Sequence, residues 1–537
     1  MKFRFLLLLL LASFDANYSH AHASDPFEIC DGLKRPGPND DLLATDPERG
    51  QTVLWSQPRV GIFSFDEKGV SACDAALADS RLKPTYVQRR ANLLQARAVH
   101  LLGSGRVEEA LSSLGDSDRV GAGYPAKQFE EGIGLGNRVL RGIALQYAGR
   151  QDEADREFDL ASRIRPWATS VAMQILRLRL PYVNVEQSLP MLKKAVVLNP
   201  SLNVAVMATA MQMGDFQTII ALGSGPAPEP LPDFQNYQDP NAADAKAQRI
   251  LSNALRAGMR AYALCASARC SEGRTELDAF EASMRQSDAT VNSQKDSAEV
   301  GLSTARGKSL ASVVAWRKLI ALRQEIAITP MPLDKLLAEL QLTPGEAGIV
   351  RSDLLQLLAK FAGQTDRRAL KSLFQASEAA LATPHLTPGR SNLPAEFSSL
   401  PDVETSSIRV RYRPTTKGAF SLGSGFTILD TGKNDEFGVY FVDFNASMAA
   451  VEEAALYAAA DLAKSKGFDA IVLTYSAAKN RRVVGSFVNE DMGRVAYLRF
   501  KFVSRTSAEP SVADYSFRMI DVDDVISGVG RNFRPLN

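Results

Sequence analysis

Six positions in the middle of the chain constrain its fold more than any others: Gly142, Gly149, Ala154, Phe158, Ala161 and Pro166. The small residues let two antiparallel helices approach closely. Gly149-Arg150 falls at the turn between them, Phe158 fills the groove, and Pro166 stops the second helix. Thirty-four residues on, Pro200 and Ala195 match Pro166 and Ala161, while Ser188 and Leu192 stand for Ala154 and Phe158. Pro181 interrupts the first helix of this weaker copy. Upstream, Gly105-Arg106 and Ala110 repeat Gly149-Arg150 and Ala154, with an insertion around 121–125. Ala72 and Pro84 mark a half repeat, and Gly214-Asp215-Phe216 the turn of a degenerate further unit.

These positions resemble the signature of the tetratricopeptide repeat, a helix–turn–helix unit of 34 residues. The resemblance spans 85–222. It implies stacked helix pairs that offer a concave groove to a protein or peptide, and it implies no catalysis. By the same resemblance the groove-facing positions are Asn92, Gln95, Gln146, Ser170, Met173 and Arg177. They do not form the Lys/Asn clamp of family members that grip peptide carboxylates.

Gly223, Gly225 and prolines 226, 228, 230, 232 and 240 make 223–241 a linker. From 242 to 382, Leu-rich segments recur at helical spacing, such as Leu336, Leu337 and Leu340. Thr343-Pro344-Gly345-Glu346 reads as a capping box, and the segment is expected to add further helical hairpins. A second Pro-rich linker covers 383–404. Beyond it Ile408 to Tyr412, Val439 to Phe444 and Arg494 to Val503 alternate with period two. A helix from Ser447 to Lys466 ends at Gly467, and Phe468 to Tyr475 reads as a buried strand. The expected fold is therefore mainly α: a tetratricopeptide-like helical solenoid (85–222, extended by 242–382) after an N-terminal segment (24–84), then a small α+β domain (405–505) and a tail (506–537). That last domain resembles small domains of uncharacterised bacterial envelope proteins, which brings no activity with it. The linker at 383–404 predicts that removing 405–537 leaves a folded helical protein.

The N-terminus reads as a secretory signal: Lys2 and Arg4, an apolar run from Phe5 to Phe14, and Ala21-His22-Ala23, with cleavage expected after Ala23. In a diderm host the compartment is the periplasm. No other run is long and apolar enough to span a bilayer, and Cys30 does not sit in a lipoprotein-type cleavage context, so neither a transmembrane segment nor a lipid anchor is expected. Without residues 1–23 the basic and acidic residues balance, which argues against nucleic acid as a partner. Four cysteines in an exported chain favour two disulfides, Cys30–Cys73 and Cys265–Cys270. Within one continuous helix the second pair would point apart, so Ala266 to Arg269 must turn.

Only His100 and His385 remain after signal removal, too few for a His-rich metal site or a His-based triad. Gly115-Asp116-Ser117-Asp118 resembles an esterase nucleophile block but lacks the partnering Asp-x-x-His. Gly423-Ser424-Gly425 lacks the Gly-Lys-Ser/Thr of a phosphate loop, and Asp521-Val522-Asp523-Asp524 lacks the Gly and distal Glu of a calcium loop. No cofactor, metal site or catalytic residue is expected. The functional expectation is an exported scaffold that binds a protein or peptide in the cell envelope. The alternative is an envelope hydrolase acting on cell wall or glycan, its substrate positioned by the repeats.

Overall fold

Apolar residues at helical spacing fill most of the chain, and helices carry most of the computed structural model. It describes residues 25–38, 66–123, 126–222, 242–286, 297–329, 331–342, 344–361, 367–373, 412, 414, 425–433, 436–443, 446–484, 489–505 and 516–533. The expected signal peptide and both expected Pro-rich linkers lie outside these residues. The chain divides into two compact units, residues up to 157 and residues 158–390 with 408–537.

The first unit begins with α1 (Pro26–Asp31), capped by the Asp25 carboxylate with Pro26 at the first helical position. α2 (Glu67–Ala78) follows, capped by Asp66. α3 (Val87–Gly103) and α4 (Val107–Gly121) form an antiparallel hairpin. The Ser113 and Ser117 hydroxyls of α4 donate to the Leu94 and Ala91 carbonyls of α3, at 2.8 Å each. α5 (Leu135–Tyr147) and the start of α6 (Gln151–Ile164) form the next hairpin.

In the second unit α7 (Thr169–Arg179) ends in a 3-10 turn at Leu180–Tyr182, where Pro181 sits. The reciprocal capping box of Asn184 and Gln187 opens α8 (Val185–Val196). α9 (Asn203–Gln212), α10 (Phe216–Leu222), α11 (Ala242–Ala266), α12 (Cys270–Gln286), α13 (Ser297–Ile328), α14 (Leu333–Gln341) and α15 (Pro344–Ala359) follow. Met207, Met211, Tyr262, Trp316, Leu336 and Leu354 are central to their shared core.

One joint recurs at four hairpins. Past the end of α3, α5, α9 and α11 stands a residue with left-handed backbone: Gly105, Gly149, Gly214 and Ala268, at φ 75, 74, 70 and 63°. Its N–H bonds the carbonyl three residues back, and the next N–H bonds the carbonyl five back. Arg106, Arg150 and Arg269 then each clasp the glutamate three residues on, Glu109, Glu153 and Glu272, through two hydrogen bonds. At the fourth joint Asp215 instead accepts from the Thr218 N–H and hydroxyl. The joint past α11 carries the expected turn between Cys265 and Cys270, and these two lie at disulfide distance. So do Cys30 and Cys73.

The C-terminal portion is α+β. Strands β1 (Gly425–Lys433), β2 (Glu436–Asp443), β3 (Ala470–Val484), β4 (Asn489–Val503) and β5 (Ile520–Asp521) form an antiparallel sheet ordered β1-β2-β4-β3-β5. Between β2 and β3, α16 (Met448–Ser465) crosses one sheet face. Val439, Phe441, Ile471, Leu473, Leu498 and Phe500 meet its alanines there, on alternate strand positions as a half-buried sheet requires. Gly467 stops α16 in left-handed backbone, φ 83°. Tyr412, from the expected strand at 408–412, stacks on Phe426; the rest of that segment lies outside the described residues.

Two boundary expectations are corrected. Residues 516–533, expected within a tail, fold: they form β5 and α17 (Val522–Phe533), whose Val522, Val525 and Val529 join the sheet core. The sheet portion is also not separate from the helices before it. Leu198, Trp167 and Ala172 pack into the same sheet core.

Candidate functional site

Of the six residues selected for a groove, three fall in the interior. Asn92 and Gln95 are fully buried, and Gln146 is 3 % exposed. The chain's own N-terminal segment takes the face of α3 that was expected to be open. Arg89 pairs with Asp31 at 2.8 Å, both side chains being wholly buried. The Asn92 amide donates to the other Asp31 oxygen at 2.9 Å. Arg89 also donates to the Leu33 and Lys34 carbonyls, and Tyr86 to the Gly37 carbonyl. His100 meets the Cys30 carbonyl at 3.0 Å, and its ring leaves no room for a side chain at Gly69. Burial pushes the Asp31 carboxyl above its ordinary value, against the pull of Arg89 and its hydrogen bonds.

Gln95 donates to the Ile133 carbonyl and to Asn137, which in turn donates to Ser117 and Asp118. The groove expectation at Asn92, Gln95 and Gln146 is therefore corrected. A polar side chain on an inner helix face must find a partner once water is excluded, and here the chain supplies it. In the second unit Met173 is half-buried against the helical core, Ser170 is half-buried and bonded, and Arg177 is exposed.

Ser170 leads to a second buried carboxylate site. α7 has no side-chain cap of its own. Glu452 of α16 provides one, accepting from the Ser170 N–H and hydroxyl at 2.8 Å each. Beside it Glu453 accepts from Arg165 at 2.9 and 3.3 Å, with side chains 2 and 4 % exposed. Arg165 also reaches the Ser447 hydroxyl, which itself caps α16. Burial raises the Glu452 carboxyl to about 7, opposed by the two Ser170 bonds and supported by the Glu453 charge. A carboxyl protonated near neutrality is the tool of a glycosidase acid. Glu452 is nevertheless buried in a packed seam at 7 % exposure, where it can store a proton but cannot meet a substrate.

A different surface lies along α13 and α14. Lys318 pairs with Glu339 and Glu325 with Lys335, which sets these helices antiparallel. One turn beyond the first bridge Val314 and Leu342 are 64 and 66 % exposed, and one turn beyond the second Ile328 is 82 % exposed. This seam, apolar at both ends and charged between them, had no signal in the repeat pattern.

Two of the motifs set aside fall among the described residues; Gly423 and Ser424 of the third lie outside them. Ser117 lies inside α4, bonded to the Ala91 carbonyl, not at a strand-to-helix turn. Asp521 pairs with Arg505 and Asp523 with Lys464. Among the described residues no group of three or more His, Cys, Asp or Glu is placed to hold a metal ion, and no described helix is long and apolar enough to cross a membrane. An open pocket of about 360 Å³ lies at the α5–α6 joint, lined by Gly149, Arg150, Gln151, Asp152, Glu153 and Arg156. Comparison with protein-family models, with curated proteins and with solved structures finds no match.

Proposed function

We propose that this is an exported scaffold that binds a protein partner in the cell envelope, the periplasm in a diderm host, after removal of a signal peptide ending at Ala23. Two cysteine pairs at disulfide distance support an oxidising compartment. The observation that carries the binding reading is the α13–α14 seam. Val314, Ile328 and Leu342 expose large apolar side chains at either end of two ion pairs, and large apolar side chains left in water are what a protein partner would cover. The expected groove contributes less, because the chain fills its upstream part with its own residues.

The test places a photo-crosslinking amino acid at 314, 328 or 342, and at 177 as a control, in the full chain expressed in its own host. One protein partner captured from the seam positions and not from 177 is the expected result. Crosslinks only to a second copy of the chain would replace the partner by self-association. No crosslink from any seam position would end this reading and return weight to a glycan-acting protein.

A further inference from the structure

Glu452 sits where an ionised carboxylate is costly. It is buried between α16 and the start of α7, and both of its described hydrogen bonds come from Ser170, neither from a cation. The charged groups around it are Glu453 on its own helix and Arg165 before α7, which bond each other. At the start of α16, Asp443 and Arg494 bond the Ala446 N–H and carbonyl. One oxygen of Glu452 accepts both Ser170 bonds, so a proton on the other oxygen costs no contact. Protonation removes the desolvation penalty and the repulsion from Glu453, which together outweigh the preference of the Ser170 bonds and Arg165 for the ionised form.

We propose that Glu452 is a proton-operated latch, which holds the C-terminal α+β portion against α7 most firmly when its carboxyl is neutral. The direction follows from linkage. The folded carboxyl titrates at about 7, above the ordinary glutamate value of 4.5. An acid raised by folding stabilises the closed seam fully below the ordinary value, and that contribution fades as pH rises through about 7. The same contacts thus close more tightly in mild acid than in mild alkali.

Hydrogen exchange of the mature full-length protein tests this, followed in 165–175 and 447–456 from pH 5 to pH 8 and corrected for intrinsic exchange rates. The opening constant of these segments is expected to rise roughly tenfold or more across that range. Glu452→Gln, a neutral isostere, is expected to hold the low-pH protection throughout. Ser170→Ala removes a hydroxyl that favours the ionised form and is expected to move the midpoint to higher pH. Protection in the parent that stays flat from pH 5 to pH 8 would overturn the latch. So would a Glu452→Gln protein that keeps the parent's slope, or a Ser170→Ala midpoint that does not move.

Discussion

A methyl group at Gly258 should cost this protein more than its size suggests. Gly258 lies inside α11, where glycine is a poor helix former and alanine alone would gain about 1 kcal/mol. A Cβ there would stand 2.0 Å from Cδ1 and 2.1 Å from Nε1 of Trp316 on α13. Trp316 is fully buried, packed edge-on to Tyr262 with ring centroids 6.2 Å apart, so the indole has nowhere to swing. Overpacking of this kind costs about 1–3 kcal/mol. Taking the upper end and subtracting the helix gain leaves Gly258→Ala about 2 kcal/mol less stable, roughly a thirtyfold loss in the folding equilibrium. Gly307→Ala on α13 is the control: its Cβ would meet nothing within 4 Å, and it should gain up to about 1 kcal/mol. Urea unfolding followed by circular dichroism compares the two. Trp316→Phe should cost less in the Gly258→Ala background than alone, because the smaller ring makes room for the methyl. A Gly258→Ala protein as stable as Gly307→Ala, or simple additivity with Trp316→Phe, would refute the steric argument.

Other outcomes follow from the same contacts. Asp31→Asn leaves the buried Arg89 guanidinium without its counterion and should cost about 3–5 kcal/mol, whereas Asp31→Asn with Arg89→Met should cost less; chemical denaturation separates them. Thiol titration under denaturing, non-reducing conditions should find no free thiol, and reduction should lower stability by about 3–4 kcal/mol through Cys30–Cys73, which spans 43 residues. Removing 405–537 would uncap α7 and bare Trp167, Leu198 and the buried Arg165. That truncation should melt earlier and bind a hydrophobic dye, and an unchanged melting curve would restore the independent domain expected from the linker.

The hairpin joints were legible where glycine marks them. Gly105, Gly149 and Gly214 supply left-handed backbone at no steric cost, and each stood out in the sequence. Ala268 gives no such mark, and the turn there was expected only from the Cys265–Cys270 pair; Arg269 and Glu272 repeat the Arg–Glu spacing of two earlier joints. The groove assignment failed for a different reason. Helical periodicity shows which side of α3 carries Asn92 and Gln95, but not what lies over it, and the Asp31 segment reaches Asn92 from 61 residues away. α17 was missed because Gly528 and Gly530 weaken its pattern. Both face bulky neighbours, Trp167 and Tyr457, at a would-be Cβ distance of 2.9 Å, so packing and not turn formation keeps them small. The Glu452 site had no local signal, because its partner is 282 residues away.

The recurring joint changes what counts as a repeat here. Each corner is closed by its own backbone bonds within a few residues, so the helices on either side can lengthen or shorten without disturbing it. The corners accordingly fall at unequal intervals while their backbone bonding stays constant. Kinship to such a chain would be found by aligning corners, a small left-handed residue followed in three of the four by an arginine with an acid three positions on, and would be missed by any ruler of fixed length.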